Sequence, residues 1–123
     1  MKNDREKFKN EFKARIYNFI LNLIKFIDHL PSDRATDIIA KQLLRSGTSI
    51  GANYIEAQAA SSKKDFTNFF HYSLKSANES KFWIAILRDS KKAGKEEAEA
   101  LLKELIEISN ILGSSIITLK NKR

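Results

Sequence analysis

The stretch "RSGTSIGANYIEA", residues 45–57, decides how this chain folds. It places Gly47 and Gly51 four residues apart in a segment whose apolar spacing is otherwise that of a helix. A glycine costs a helix interior about 1 kcal/mol relative to alanine, so two of them need a reason. Three explanations are available: the segment binds a phosphate, it crosses a membrane, or the glycines let another helix come close.

The first two alternatives fail on sequence context. No strand pattern precedes the glycines and no Lys-Ser or Lys-Thr pair follows them, so the segment lacks the pattern of a phosphate-binding loop. The longest apolar stretch, residues 16–27, is interrupted by Asn18, Asn22 and Lys25, and a membrane span needs about 20 apolar residues. We therefore interpret the glycines as a site of close helix packing, within the fold or between subunits.

Outward from this segment, the chain divides into four helical units. Each unit repeats apolar residues every three or four positions, and short polar turns separate the units, which are residues 1–31, 32–62, 63–94 and 95–123. Pro31 ends the first helix, and Ser32 or Asp33 can cap the start of the second. Ser62 begins "SKKD", which resembles a capping box and marks the start of the third helix. Gly94 is a candidate C-terminal cap for the third helix. Long amphipathic helices with short connections predict one domain, residues 1–123, folded as an all-α, antiparallel up-down four-helix bundle.

Two helices carry a second apolar stripe outside the predicted core face. A single bundle should be polar there, so we predict that another subunit covers these positions. The alternative is a broad core face with some tolerated exposure. With the two glycines, the predicted oligomer interface comprises Tyr17, Leu21, Ile24, Gly47, Gly51, Phe82 and Ile86.

A polar amide also falls on the predicted core side of the second helix. Asn53 must then be paired, and polar side chains lie within two turns of it. We favour a structural network that fixes helix register over a ligand site. Its predicted members are Gln42, Ser49, Asn53 and Glu56.

The charge balance favours a polyanionic partner. The chain carries a net charge of +7, with +3 in residues 1–31 and +4 in residues 63–94. Such a surface attracts RNA or DNA, although ordinary surface charge is the plainer alternative. The candidate phosphate contacts are Lys7, Lys9, Lys13, Arg15, Lys63, Lys64, Lys91, Lys92 and Lys95.

The inventory of chemical groups argues against an enzyme. There is no cysteine, and neither His29 nor His71 follows a Glu by three residues, as the ligands of a di-iron bundle would. Glu56 and Glu79 could meet across two helices, but a salt bridge with Arg45 or Lys81 is the simpler interpretation. We expect no metal, no cofactor and no catalytic residue. The charged N-terminus does not resemble a signal peptide, so we expect a cytoplasmic protein with no membrane partner.

Residues 42–79 resemble the core of the 23S rRNA intervening-sequence protein family. The residues that carry the resemblance are Gln42, Leu43, Arg45, Ser49, Ile50, Asn53 and Glu56 in the first half and Lys64, Asp65, Phe66, Phe69, Ser76, Ala77 and Glu79 in the second. The chain departs from the family pattern at Tyr54, where isoleucine is usual, and at "AQAASS", where a glycine is usual.

The resemblance implies a bacterial four-helix bundle assembled as a homo-oligomer, a ring of five subunits. The chain is also similar to the accessory protein of diversity-generating retroelements, a basic pentamer that works with a reverse transcriptase and nucleic acid. We therefore predict a non-enzymatic homopentamer that binds nucleic acid, with RNA favoured over DNA. The alternative is a protein adaptor that docks another protein, such as a reverse transcriptase, without touching nucleic acid.

Overall fold

A computed structural model describes residues 2–121, and this part of the chain is entirely helical apart from its turns. The helices are α1 (Lys2–Asp28), α2 (Arg34–Gln58), α3 (Lys63–Asp89) and α4 (Lys95–Asn121). Helix α2 packs most extensively on α3, α3 packs on α4, and α1 lies against α2 and α4, across the core from α3. The predicted up-down four-helix bundle is confirmed, with α1 and α3 at diagonal corners.

Side-chain caps define the starts of the two central helices. The carboxylate of Asp33 accepts a hydrogen bond from the Thr36 backbone N–H at 3.0 Å, and the Ser62 hydroxyl accepts one from the Asp65 N–H at 3.1 Å. Each cap satisfies a backbone donor that the first helical turn leaves unpaired. The sequence predicted both positions.

The end of α3 differs from the prediction. Ser90 is the C-cap, and Lys91 follows it in the left-handed region with φ of 63°. The Lys92 N–H donates to the Leu87 carbonyl at 3.0 Å, which closes the helix as a Schellman motif normally does around glycine. Gly94 instead precedes α4, where its carbonyl accepts from the Ala98 N–H at 3.0 Å.

The predicted core stripes are largely buried, although not at every position, and Tyr54, Asn53 and Phe8 are the informative cases. Tyr54 is 3% exposed and belongs to the core, whereas Asn53, assigned to the core side, is only half-buried. Phe8 begins the predicted stripe of α1 but is 53% exposed. It lies in the second turn of α1, near the end of the bundle.

Both glycines of the opening segment pack against α1 of the same chain. A Cβ at Gly47 would collide with the Leu23 side chain, and one at Gly51 would lie 2.9 Å from Ile20 Cδ1. Gly47 is buried and Gly51 half-buried. The close approach is therefore within the bundle, and Gly47 is occupied there rather than presented to another subunit.

Among residues 2–121, no helix is both long enough and apolar enough to cross a membrane.

Candidate functional site

A basic depression lies at the end of the bundle where α1 begins and α4 finishes. It has a volume of about 500 Å³, and its lining comprises Lys63, Lys64, Thr67, Asn68, His71, Leu119 and Lys120. Three lysines, an imidazole, a hydroxyl and an amide converge here, and none of the described lining residues is acidic. The N-terminus of α3 lies at the same place and adds the positive end of its helix dipole.

This grouping arises from the topology of the bundle. Lys63 and Lys64 begin α3, and Lys120 lies in the last turn of α4, so the up-down order brings them to one end. Lys63 and Lys64 were among the predicted phosphate contacts. His71 follows Lys64 by seven residues on one face of α3, whereas Lys120 joins them through the antiparallel packing of α3 against α4.

The three predicted lysines at the opposite end lie in a different electrostatic setting. Lys92 Nζ pairs with Asp33 Oδ2 at 3.1 Å, and this contact together with the Thr36 cap lowers the pKa of the Asp33 carboxyl. Lys91 follows Asp89 closely, and Lys95 is followed directly by two glutamates. Phosphate binding at Lys91, Lys92 and Lys95 is therefore opposed by neighbouring carboxylates.

The predicted cations on α1 divide into one that is paired and three that are exposed. Arg15 is bound by carboxylates of α4: Nε donates to Glu104 Oε2 at 2.7 Å and Nη2 donates to Glu104 Oε1 at 2.8 Å. Nη2 also lies 3.1 Å from Glu107 Oε1. The structure therefore gives Arg15 a role inside the bundle, while Lys7, Lys9 and Lys13 point to solvent.

The predicted second stripes form two exposed apolar surfaces. On α1, Tyr17, Leu21 and Ile24 are 65%, 43% and 39% exposed. On α3, Phe82 is 58% exposed and Ile86 is half-buried. Since α1 and α3 lie at diagonal corners of the bundle, the two surfaces are separate, and the five side chains lie where another subunit can reach them.

The buried polar contacts between α2 and α3 use other residues than those predicted. Ser46 Oγ and Ser80 Oγ share a hydrogen bond of 2.8 Å, and Ser73 Oγ donates to the Ile50 carbonyl at 2.8 Å. These serines are fully buried and tie the two helices at fixed register. All three serines recur at the helical spacing of the buried residues of α2 and α3, which places them at the contact between the two helices.

The predicted network members lie beside this seam rather than in it. Asn53 Nδ2 donates to the Ser49 carbonyl within α2 at 2.9 Å, and Glu56 is exposed. Gln42 Oε1 accepts from Arg45, whose Nη2 contacts Glu79 Oε2 at 2.6 Å. That carboxylate oxygen also accepts from the Trp83 indole N–H at 2.9 Å.

The described residues contain no group of three or more His, Asp or Glu side chains able to hold a metal ion. The ion pair of Arg45 with Glu79 accounts for one of the two carboxylates considered from the sequence. His29 donates through Nδ1 to the Lys25 carbonyl at 2.7 Å, and His71 lies in the basic depression.

Comparisons with known proteins agree with this architecture. The model of a family described as "23S rRNA-intervening sequence protein" matches residues 9–114. A crystal structure of a protein with unknown function from the S23 ribosomal protein family of Bacteroides thetaiotaomicron VPI-5482 is similar, with a TM-score of 0.82. The two sequences are 34% identical, and the match covers 88% of this chain and 96% of that chain. No curated protein matches the sequence.

Proposed function

This chain belongs to the 23S rRNA-intervening sequence protein family, and we propose that it is a non-enzymatic homo-oligomer that binds RNA through the basic depression. The observation that carries the proposal is the convergence of Lys63, Lys64, Lys120 and His71 on a concave surface with no acidic lining residue among those described. The phosphates of a nucleic acid are the partner that such a surface attracts.

Hydrogen-bonding groups support a nucleic acid over a general polyanion. Asn68 provides an amide in the depression, and the Thr67 hydroxyl donates to the Lys63 carbonyl at 2.9 Å and can still accept. Contacts of this kind fix a backbone in register without reading bases. We favour RNA because its 2′-hydroxyl offers these groups a further hydrogen-bond partner.

Self-assembly is supported by the two exposed apolar surfaces. The α1 surface (Tyr17, Leu21, Ile24) and the α3 surface (Phe82, Ile86) differ in composition and lie on helices at diagonal corners of the bundle. If the α1 surface of one subunit binds the α3 surface of the next, the contact is head-to-tail. Such contacts close into a ring when the rotation between neighbouring subunits divides a full turn evenly. A ring of five, as the resemblance implies, repeats the basic depression five times and strengthens RNA binding by avidity.

The proposal is tested by RNA binding across a salt series with a structured RNA and a duplex DNA of equal length. Affinity should fall steeply with salt and be higher for RNA, and light scattering should give a mass several times that of one chain. Absence of binding even at low salt contradicts the proposal and favours a protein adaptor instead.

A further inference from the structure

An aromatic cavity of about 850 Å³ opens beside the basic depression at the same end of the bundle. The cavity lies where the first turns of α1 meet the last turns of α4, and Leu119 lines both concavities. Its size is within the range of small-molecule sites in proteins. Leu119 is the one residue that it shares with the lining of the basic depression among the described residues.

Aromatic rings form one side of this cavity. The ring centroids of Phe66 and Phe70 are 4.8 Å apart in a stacked pair, and those of Tyr54 and Phe70 are 5.7 Å apart. Phe8 stacks on Phe12 at 6.2 Å and remains 53% exposed, so it presents apolar ring surface at the opening. Exposed ring surface of this kind binds a planar ligand by stacking.

A tyrosine hydroxyl of the cavity has no hydrogen-bond partner among the described residues. Tyr54 is 3% exposed as a whole residue and lines the cavity, while its hydroxyl oxygen stays accessible to a ligand. Partial burial raises the pKa of this hydroxyl, so it stays protonated and can donate near neutral pH. A ligand atom in the cavity would give this hydroxyl a partner.

The α4 wall carries polar side chains beside Ile111 and Leu119, and the α1 wall has a net positive charge. Asn110, Ser114 and Thr118 of α4 bring an amide and two hydroxyls to the cavity. Arg5 and Lys9 add two cations, against the single carboxylate of Asp4. An acyl chain would leave the amide and hydroxyls without partners, whereas a flat ring with polar edges can pair with them.

We propose that this cavity binds a nucleotide, with the base against the aromatic rings and the phosphate at Arg5 and Lys9. Two sources share this chemistry: a free mononucleotide, and an unpaired nucleotide within an RNA strand. The second source rests on the proposed function, because a strand would reach the cavity from the adjoining basic depression. The first source does not.

The test measures binding of adenosine and uridine 5′-monophosphates, and of a short single-stranded RNA, by calorimetry on the full chain. Tyr54→Phe removes only the unpartnered hydroxyl, and Lys9→Gln removes one cation of the cavity. Lys103→Gln removes an exposed cation of α4 that does not line the cavity. We expect Tyr54→Phe and Lys9→Gln each to weaken binding about three- to tenfold, and Lys103→Gln to leave it unchanged.

Each outcome decides between the sources or against the cavity. Mononucleotide binding with this pattern identifies a free nucleotide, even if the chain binds no RNA strand. Binding of the single strand alone, with the same pattern, identifies a nucleotide of the strand. Absence of binding to all three probes, or affinities that Tyr54→Phe and Lys9→Gln do not change, overturns the proposal. If the chain binds RNA and neither variant changes the affinity, nucleotide binding in the cavity is ruled out and the proposed function stands.

Discussion

The guanidinium of Arg15 on α1 holds the carboxylate of Glu104 on α4 through two parallel hydrogen bonds of 2.7 and 2.8 Å. These bonds, with a further contact to Glu107, raise the pKa of the guanidinium above its ordinary value. Helix α1 has its smallest contact with α4, and concavities open between the two helices on both sides of this ion pair. Arg15 therefore fastens α1 to α4 and is not presented to nucleic acid.

Replacing Arg15 by glutamine should lower the free energy of unfolding by about 1 kcal/mol, since the pair is bidentate but about one third of each side chain remains in solvent. Urea unfolding measures this change. RNA affinity should stay within twofold of the wild type. A variant with unchanged stability and weakened RNA binding would show that Arg15 contacts phosphate instead.

Glycine substitutions should separate close packing from helix propensity. Gly113→Ala meets nothing within 4 Å and should stabilise the fold by about 0.5–1 kcal/mol. Gly47→Ala must displace Leu23, which is fully buried, so we expect a net loss of about 1–2 kcal/mol. Thermal unfolding of both variants under one buffer checks the comparison. Stabilisation by both alanines would show that Leu23 adapts and that close approach at Gly47 is not required.

Two buried serines should respond in opposite directions to alanine. Ser73 Oγ donates to the Ile50 carbonyl at 2.8 Å, so Ser73→Ala should cost about 1 kcal/mol. The Ser109 hydroxyl is buried with no partner among the described residues, so Ser109→Ala should be neutral or stabilising by up to about 1 kcal/mol. Both substitutions replace serine by alanine within a helix, so the gain in helix propensity is the same for both. The difference between their changes in the free energy of unfolding, measured in urea, therefore reports the Ser73 hydrogen bond. Equal effects would argue against a structural role for the Ser73 contact.

Charge placed in either exposed apolar surface should dissociate the oligomer. Leu21→Asp on α1 and Phe82→Asp on α3 each bury a carboxylate in the proposed subunit contact, which association cannot tolerate. Light scattering should report a mass near that of one chain, with helicity by circular dichroism unchanged. Ile117→Asp is the matched control, because Ile117 is 63% exposed on α4 outside both surfaces. A mass that neither variant changes would contradict the subunit contact.

The periodicity of the sequence was sufficient for the fold because each helix buries one apolar stripe and short polar turns separate the helices. Ser62 is a cap whose chemistry is local, so the sequence predicted it, and Asp33 was one of the two candidates for the cap of α2. The closing of α3 was not predicted, because Lys91 adopts a left-handed conformation that the sequence would assign to glycine. Tyr54, which departs from the family pattern, lies in the core between Phe12 and Phe70.

The candidate site was less accessible to sequence reasoning. Lys64 and Lys120 come from opposite ends of two helices, and only antiparallel packing makes them neighbours. The pairing of Arg15 with Glu104 spans 89 positions, so a cation that the sequence counted as a phosphate contact is neutralised by a distant residue. Charge patterns report local composition, whereas a binding surface depends on which charges remain unpaired after folding.

The most direct measurement compares RNA affinity across a salt series for two double variants of the full chain. Lys64→Gln with Lys120→Gln changes the basic depression, and Lys91→Gln with Lys95→Gln removes the same charge at the opposite end. For the first pair, the account predicts at least tenfold weaker RNA binding. It also predicts that the slope of log affinity against log salt concentration becomes shallower, by about one unit for each lysine removed in each subunit that binds the RNA. It predicts little change for the second pair. Equal losses in both pairs, or a loss confined to the second, would contradict the basic depression as the RNA-binding surface.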